Sequence, residues 1–144
     1  MPPKMLKLKV KLDDFAIQPS RAYPTDAGLD LMSPIDIRVN ACSNVTIDTG
    51  VHVEIPQGWA GILKSKSGLN IKHNLINSGV IDCGYTGSIK VQMHNLDVYR
   101  DYQIHRGDKI TQLLLVPVWT PEIDFVDEID GGERGDNGFG STGK

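Results

Sequence analysis

Hydrophobic and polar residues alternate with a period of two through much of the chain. Leu6, Leu8, Val10 and Leu12 are interleaved with Lys7, Lys9 and Lys11, the pattern of a strand that buries one face and wets the other. The lysines suit a sheet edge, where charge discourages pairing with other chains. Further strands are predicted at 35–39, 44–47, 51–55, 59–64, 75–80, 88–95, 102–104 and 110–118. Turn formers such as Ser33-Pro34, Asp48-Thr49-Gly50, Pro56-Gln57-Gly58 and Arg106-Gly107-Asp108 separate them. Only 67–74 has room for a turn or two of helix. Many short strands with little helix predict an all-β sandwich or jelly roll. The run 113–118 is nearly all apolar, which fits either a strand buried on both faces or a strand at a subunit interface.

The tail breaks this pattern. Residues 131–144 are polar and glycine-rich, so they are expected to form a mobile arm beyond a β domain spanning 1–130. The arm nevertheless holds Arg134, Phe139, Ser141 and Thr142 among exposed backbone amides. Those are the parts needed to grip a planar base and a polyphosphate, so the arm is read as a lid over a nucleotide.

Composition narrows the partners. A chain of 144 residues suffices for one domain, and 15 Lys+Arg against 18 Asp+Glu give a net charge of -3. That balance argues against a protein that coats nucleic acid, although a few local cations can still hold a small anion. Cys42 and Cys83 have no metal-ligand spacing, and reduced thiols in a cytoplasmic protein are expected. No apolar run approaches the roughly 18–20 residues of a membrane span, and an apolar signal core is missing from the first residues. The four histidines, His52, His73, His94 and His105, are scattered at no ligand spacing and are read as surface or hydrogen-bonded residues.

Three internal segments interrupt strand-like sequence with polar groups. In Asp26-Ala27-Gly28-Leu29-Asp30-Leu31, a carboxylate between apolar residues is either a turn cap or an acid near a charged site. In Lys64-Ser65-Lys66-Ser67-Gly68-Leu69, Ser67 is placed to cap a short helix whose amides face an anion; the plain alternative is a capped turn with solvated lysines. The stretch 77–88 reads as a strand, a glycine-rich reversal and a return strand, a hairpin with Asp82 and Tyr85 near its tip. Its glycines let a ligand approach the backbone closely.

Taken in order, five segments resemble the five motifs of the trimeric dUTPase family, the dUTP diphosphatases. They are DAGLDL from Asp26, KSKSGL from Lys64, GVIDCGYTG from Gly79, HRGDKITQLLLVPV from His105 and RGDNGFGSTG from Arg134. The resemblance covers the whole chain. It implies a distorted jelly-roll subunit, a homotrimer with active sites at its interfaces, and hydrolysis of dUTP to dUMP and pyrophosphate with Mg²⁺ on the triphosphate. Asp82 is implied as the base that deprotonates the attacking water. Tyr85 is implied to pack on the deoxyribose, and the backbone of Gly79, Val80 and Ile81 to read uracil, with Asn77 and Lys90 as further ligand contacts. Lys66, Ser67, Gly68 and Gln112 are implied at the phosphates. Arg134, Gly140, Ser141 and Thr142 close over the γ-phosphate end, and Phe139 stacks on the base. No protein group is implied as a direct metal ligand; Asp30 is implied near the metal's waters. The chain departs from the family in carrying Lys66 where arginine is usual, which supplies charge without a bidentate fork.

Two rival readings share the fold. A dCTP deaminase, or a bifunctional relative, would need a pocket for the 4-amino group, and no deaminase pattern is present. A phage-type regulator that binds repressor proteins would carry an insert between the third and fourth motifs, where this chain has only the short connection 95–105.

Overall fold

The computed structural model describes residues 7–138 and 140. Among these, eleven strands and one short helix follow one another in the order β1(Lys9–Leu12), β2(Leu29–Met32), β3(Ile37–Val39), β4(Asn44–Asp48), β5(Val51–Glu54), β6(Trp59–Lys64), α1(Ser67–His73), β7(Leu75–Ile76), β8(Ser78–Ile81), β9(Lys90–Asn95), β10(Tyr102–Ile104) and β11(Lys109–Pro117). All pairings are antiparallel. Strands β2-β11-β6-β8 form the largest sheet, β4-β9-β7 a second, and β1-β5 and β10-β3 two ribbons. The architecture is the all-β, jelly-roll-like one predicted from the alternation.

Side chains from alternate positions fill two cores. Leu31, Val53, Leu63, Ile81 and Leu113 pack between the large sheet and the β1-β5 ribbon. Val39, Ile47, Leu75, Met93 and Ile110 pack between the second sheet and the β10-β3 ribbon. Each buried aliphatic chain stabilises the fold by roughly 1.5–3 kcal/mol relative to exposure. Strand β11 serves both cores because its ladder to β2 shifts register between Lys109 and Thr111. The extra residue breaks the alternation, so that adjacent Ile110 and Thr111 are both buried.

Four expectations are corrected. The first strand does not bury a face within the chain: β1 is exposed throughout, and only Leu8, just before it, packs against a core. It lies in a ribbon with β5 as its one partner strand among the described residues. Of the two readings of the run 113–118, burial on both faces within the chain is not met: Leu113 is inaccessible, Leu114, Leu115 and Val116 are half-buried, and Pro117 and Val118 are exposed. Ser67 does not cap α1. Lys66 occupies the N-cap with extended backbone and no side-chain cap bond, and Ser67 is the first helical residue. The helix ends at Asn74 in the left-handed region, where its amide reaches the Asn70 and Leu69 carbonyls. Finally, 75–80 is two strands, and the hairpin expected over 77–88 does not zip up.

The hairpin opens because of Asn77. Its base is paired, Leu75 with Asn95 and Ile76 with His94. Beyond that point β8 turns away to pair with β6, while β9 stays with β4. Asn77 sits buried at the fork. Its amide donates to the Ile110 carbonyl at 2.9 Å and its Oδ1 accepts from the Thr111 hydroxyl at 2.7 Å. Its backbone exchanges two hydrogen bonds with Ser65 Oγ, at 2.8 and 3.0 Å. The two side-chain bonds satisfy polar groups at the bulge of β11, and the two backbone bonds fasten Asn77 just beyond the end of β6, on the side away from β9.

Candidate active site

The fork creates a cleft of about 270 Å³ between β8 and the start of β9. Gly79, Val80, Ile81, Asp82, Tyr85 and Lys90 all line it. One edge of β8 is paired with β6; the edge facing the cleft has no ladder partner among the described residues. Backbone donors and acceptors are therefore available there to a planar polar ligand. Asp82 stands exposed in the loop joining the strands, and its carbonyl accepts from the Tyr85 amide at 3.0 Å.

The loop 82–88 is shaped by its own residues. Tyr85 donates its hydroxyl to the Ser88 carbonyl, which folds the ring back over Gly87. Ser88 in turn donates to Asp48, which also accepts from the Gly50 amide. The Ser88 bond is the chief reason the Asp48 carboxyl lies below its ordinary pKa. Across the loop, His52 reaches the Thr86 carbonyl through Nδ1 at 2.8 Å.

A second polar group assembles elsewhere, at one end of the large sheet. Asp30 is buried, and one oxygen accepts from Lys66 while the other accepts from Lys109 at 3.2 Å. Burial pushes this carboxyl upward, but the two ammonium groups outweigh it and leave the pKa below the ordinary carboxylate value. Gln112 pairs in register between Asp30 and Lys64 and donates to the Ser65 carbonyl at 3.2 Å. Its side chain lies against Gly28, where any Cβ would collide with it. Asp26, by contrast, is a turn cap: its carboxylate accepts from the Tyr23 amide at 3.0 Å.

The residues singled out from sequence thus fall into separate groups. Asp82, Tyr85, Lys90 and the Gly79–Ile81 backbone share the cleft. Asp30, Lys66 and Gln112 gather at the sheet end, with Ser67 and Gly68 exposed at the adjoining helix start. Lys66 and Gln112 are not among the cleft's lining residues. Asn77 spends its side chain on the core and does not project into the cleft. Arg134 and Gly140 are exposed in the tail, while Phe139, Ser141 and Thr142 lie outside the described residues. Residues 118–130 run exposed, with Trp119 at 86%, Phe125 at 93% and Ile129 at 91% accessibility.

Sequence reasoning gave no role to Lys109, Ser65 or His52. Lys109 and Ser65 lie inside quoted motifs, but their partners sit on other strands. His52 has no sequence signal at all beyond being polar within a strand.

Fold and site together define a jelly-roll-like β protein whose forked strands open a polar cleft, with an exposed carboxylate at its rim. The sequence model of the dUTPase family matches residues 14–143. A deoxyuridine 5'-triphosphate nucleotidohydrolase of Arabidopsis thaliana is 38% identical over 143 residues, covering 99% of this chain and 85% of the relative. One from Mycobacterium avium is 42% identical over 142 residues, covering 93% and 92%. Among solved structures, the dUTPase of Staphylococcus bacteriophage 80alpha with dUPNHPP superposes with a TM-score of 0.89 at 33% identity, covering 97% of this chain and all of that one. A mutant dUTPase of phage phi11 of S. aureus, described with a structural Mg(II) ion, gives 0.79 at 34% identity over 85% and 97%. This chain belongs to the dUTPase family.

Proposed function

We propose that this protein hydrolyses dUTP to dUMP and pyrophosphate, keeping uracil out of DNA and supplying dUMP. The observation that carries the reading is the fork at Asn77, which places an unpaired strand edge beside Asp82 and Tyr85. Uracil presents a donor between two carbonyl acceptors, and a strand edge at Gly79–Ile81 offers the complementary groups. Tyr85, held over Gly87, closes the space a 2′-hydroxyl would need.

Asp82 takes a proton from a water as its oxygen attacks the α-phosphorus. The new P–O bond forms as the bond to the bridging oxygen breaks, and pyrophosphate leaves with that electron pair. A positioned base supplies on the order of 10²–10⁴-fold, so charge neutralisation and alignment must supply the rest. Lys66, Ser67, Gly68 and Gln112 serve the phosphates and Lys90 the nucleoside end, while Asn77 serves that end indirectly by holding the fork open. Lys66 acts as a point charge held by Asp30. Mg²⁺ bound together with the triphosphate would offset phosphate charge. Among the described residues, no cluster of three or more His, Cys, Asp or Glu could hold a metal. In this reading the ion would arrive with the substrate, and Asp30 would be the acid nearest its waters.

The complete site forms in a homotrimer. Two observations support this: the cleft and the lysine group are separate within one chain, and residues 118–130 expose aromatic and aliphatic side chains that a second copy can cover. Residues 131–144 then act as an arm closing over a site, with Arg134, Gly140, Ser141 and Thr142 on the phosphates and Phe139 on the base. No helix among the described residues is long and apolar enough to cross a membrane. Cys42 and Cys83 are free and exposed, which suits a reducing compartment such as the cytoplasm.

The phage 80 dUTPase is described with a SaPI inducing capacity. The connection from β9 to β10 in this chain is only 96–101, which favours the enzyme over a protein regulator. Pyrophosphate release from a panel of ribo- and deoxyribonucleotides with Mg²⁺ tests the proposal. It should be confined to dUTP; release of ammonia from dCTP would overturn it in favour of a deaminase.

A further inference from the structure

His52 projects from β5 with both ring nitrogens against acceptors. Nδ1 lies 2.8 Å from the Thr86 carbonyl and Nε2 lies 3.0 Å from an Asp13 carboxylate oxygen. Neither partner can donate. Both contacts are therefore hydrogen bonds only when the ring carries two protons. The Thr86 carbonyl first, and then Asp13, raise the imidazole above its ordinary pKa, while partial desolvation and Lys11 oppose them. The surrounding charges are mixed. Lys11 pairs across from His52 on β1, Lys9 and Glu54 pair with each other further along, and Asp48 lies at the turn before β5.

Thr86 belongs to the loop that carries Asp82 and Tyr85. On its other side the loop is fastened by Ser88 to Asp48, a carboxylate held below its ordinary pKa, so of the two fastenings His52 is the one that titrates near neutral pH. Loss of one proton acts unevenly. The Asp13 carboxylate holds the remaining proton on Nε2, which leaves a lone pair on Nδ1 facing the Thr86 carbonyl.

We propose that His52 is a positioning residue for the reaction: as an imidazolium it ties the Asp82–Tyr85 loop to the β1-β5 ribbon, and its deprotonation frees the loop. This rests on the assignment of Asp82 and Tyr85 to dUTP hydrolysis. Its consequence is a nucleotide site that is tightest below the His52 midpoint and loosens as pH rises through it.

The test compares wild type, His52→Gln and Asp13→Asn with dUTP and UTP between about pH 6 and about pH 9, a window that brackets histidine titration. In wild type, kcat/KM for dUTP and rejection of UTP should fall together by roughly three- to tenfold, the scale of one hydrogen bond. His52→Gln should show no such step, and Asp13→Asn should move it to lower pH. Substrate ionisation is common to all three proteins and cancels in the comparison. Proton NMR of the wild-type ring should give a midpoint shared by the Thr86 amide. A wild-type step that persists in His52→Gln, or a Thr86 amide blind to the His52 midpoint, would overturn the proposal. Absence of dUTP hydrolysis by wild type near pH 6 would instead strike the function from which it starts.

Discussion

Tyr85 donates its phenolic hydrogen to the Ser88 carbonyl at 2.7 Å, and its ring lies so close over Gly87 that a Cβ there would fall 2.6 Å from the hydroxyl oxygen. The ring is thus held where it walls the cleft, by one hydrogen bond and one missing side chain. Gly87→Ala should displace it without altering any group proposed to touch substrate. The ratio of kcat/KM for UTP over dUTP should rise about tenfold or more, the scale of a lost steric exclusion. Tyr85→Ala should give the same direction of change. An unchanged ratio in both variants would place the sugar gate elsewhere.

The fork at Asn77 makes a stability prediction. Asn77→Leu would leave the buried Ile110 carbonyl without its side-chain donor, while the Thr111 hydroxyl would keep its bond to the Lys64 carbonyl at 3.1 Å. An orphaned buried group costs about 1–3 kcal/mol. Denaturant unfolding, at one fixed protein concentration because subunit association contributes, should show a loss of that size. Affinity for dUTP should fall as well if the fork is what opens the cleft. A destabilised variant with unchanged affinity would make Asn77 purely a core residue.

Asp30 ties stability to pH. Its carboxyl is held below the ordinary value by Lys66 and Lys109, so its contribution is full above the unfolded value of about 3.9. That contribution fades as pH falls through the lower folded value. Asp30→Asn should therefore destabilise the protein at neutral pH and flatten the acid side of its stability profile. A variant whose profile parallels wild type below about pH 4 would contradict the assignment.

Local patterning made the strands legible, because alternation, turn residues and the single helical stretch are written in neighbouring positions. The motif groups were legible for the same reason: Asp82 and Tyr85 share one loop. What stayed hidden depends on contacts between distant segments. The opening of the hairpin requires Asn77 to meet Ile110 and Thr111, and those meet it only because β11 is bulged. Asp30 read as a turn cap or an acid near a charged site, and by resemblance as an acid near the metal's waters; its lysine partners stayed hidden because Lys66 and Lys109 come from two other parts of the chain. The incomplete burial of Leu114, Leu115 and Val116 could not be read from an apolar run that suited a core and an interface equally.

The central claim is that Asp82 performs the chemistry in a site that other copies complete. Mixing two inactive proteins tests it most directly. Asp82→Asn should retain dUTP binding yet lose about 10²–10⁴-fold in kcat, and a chain lacking residues 132–144 should fold and assemble but hydrolyse dUTP poorly. After subunit exchange, mixed assemblies should contain sites with an intact Asp82 from one copy and an intact arm from another. Pyrophosphate release from the mixture should then exceed the sum of the two proteins assayed alone. Activity that stays at that sum after demonstrated exchange would mean that each chain closes its own site, and would contradict the account.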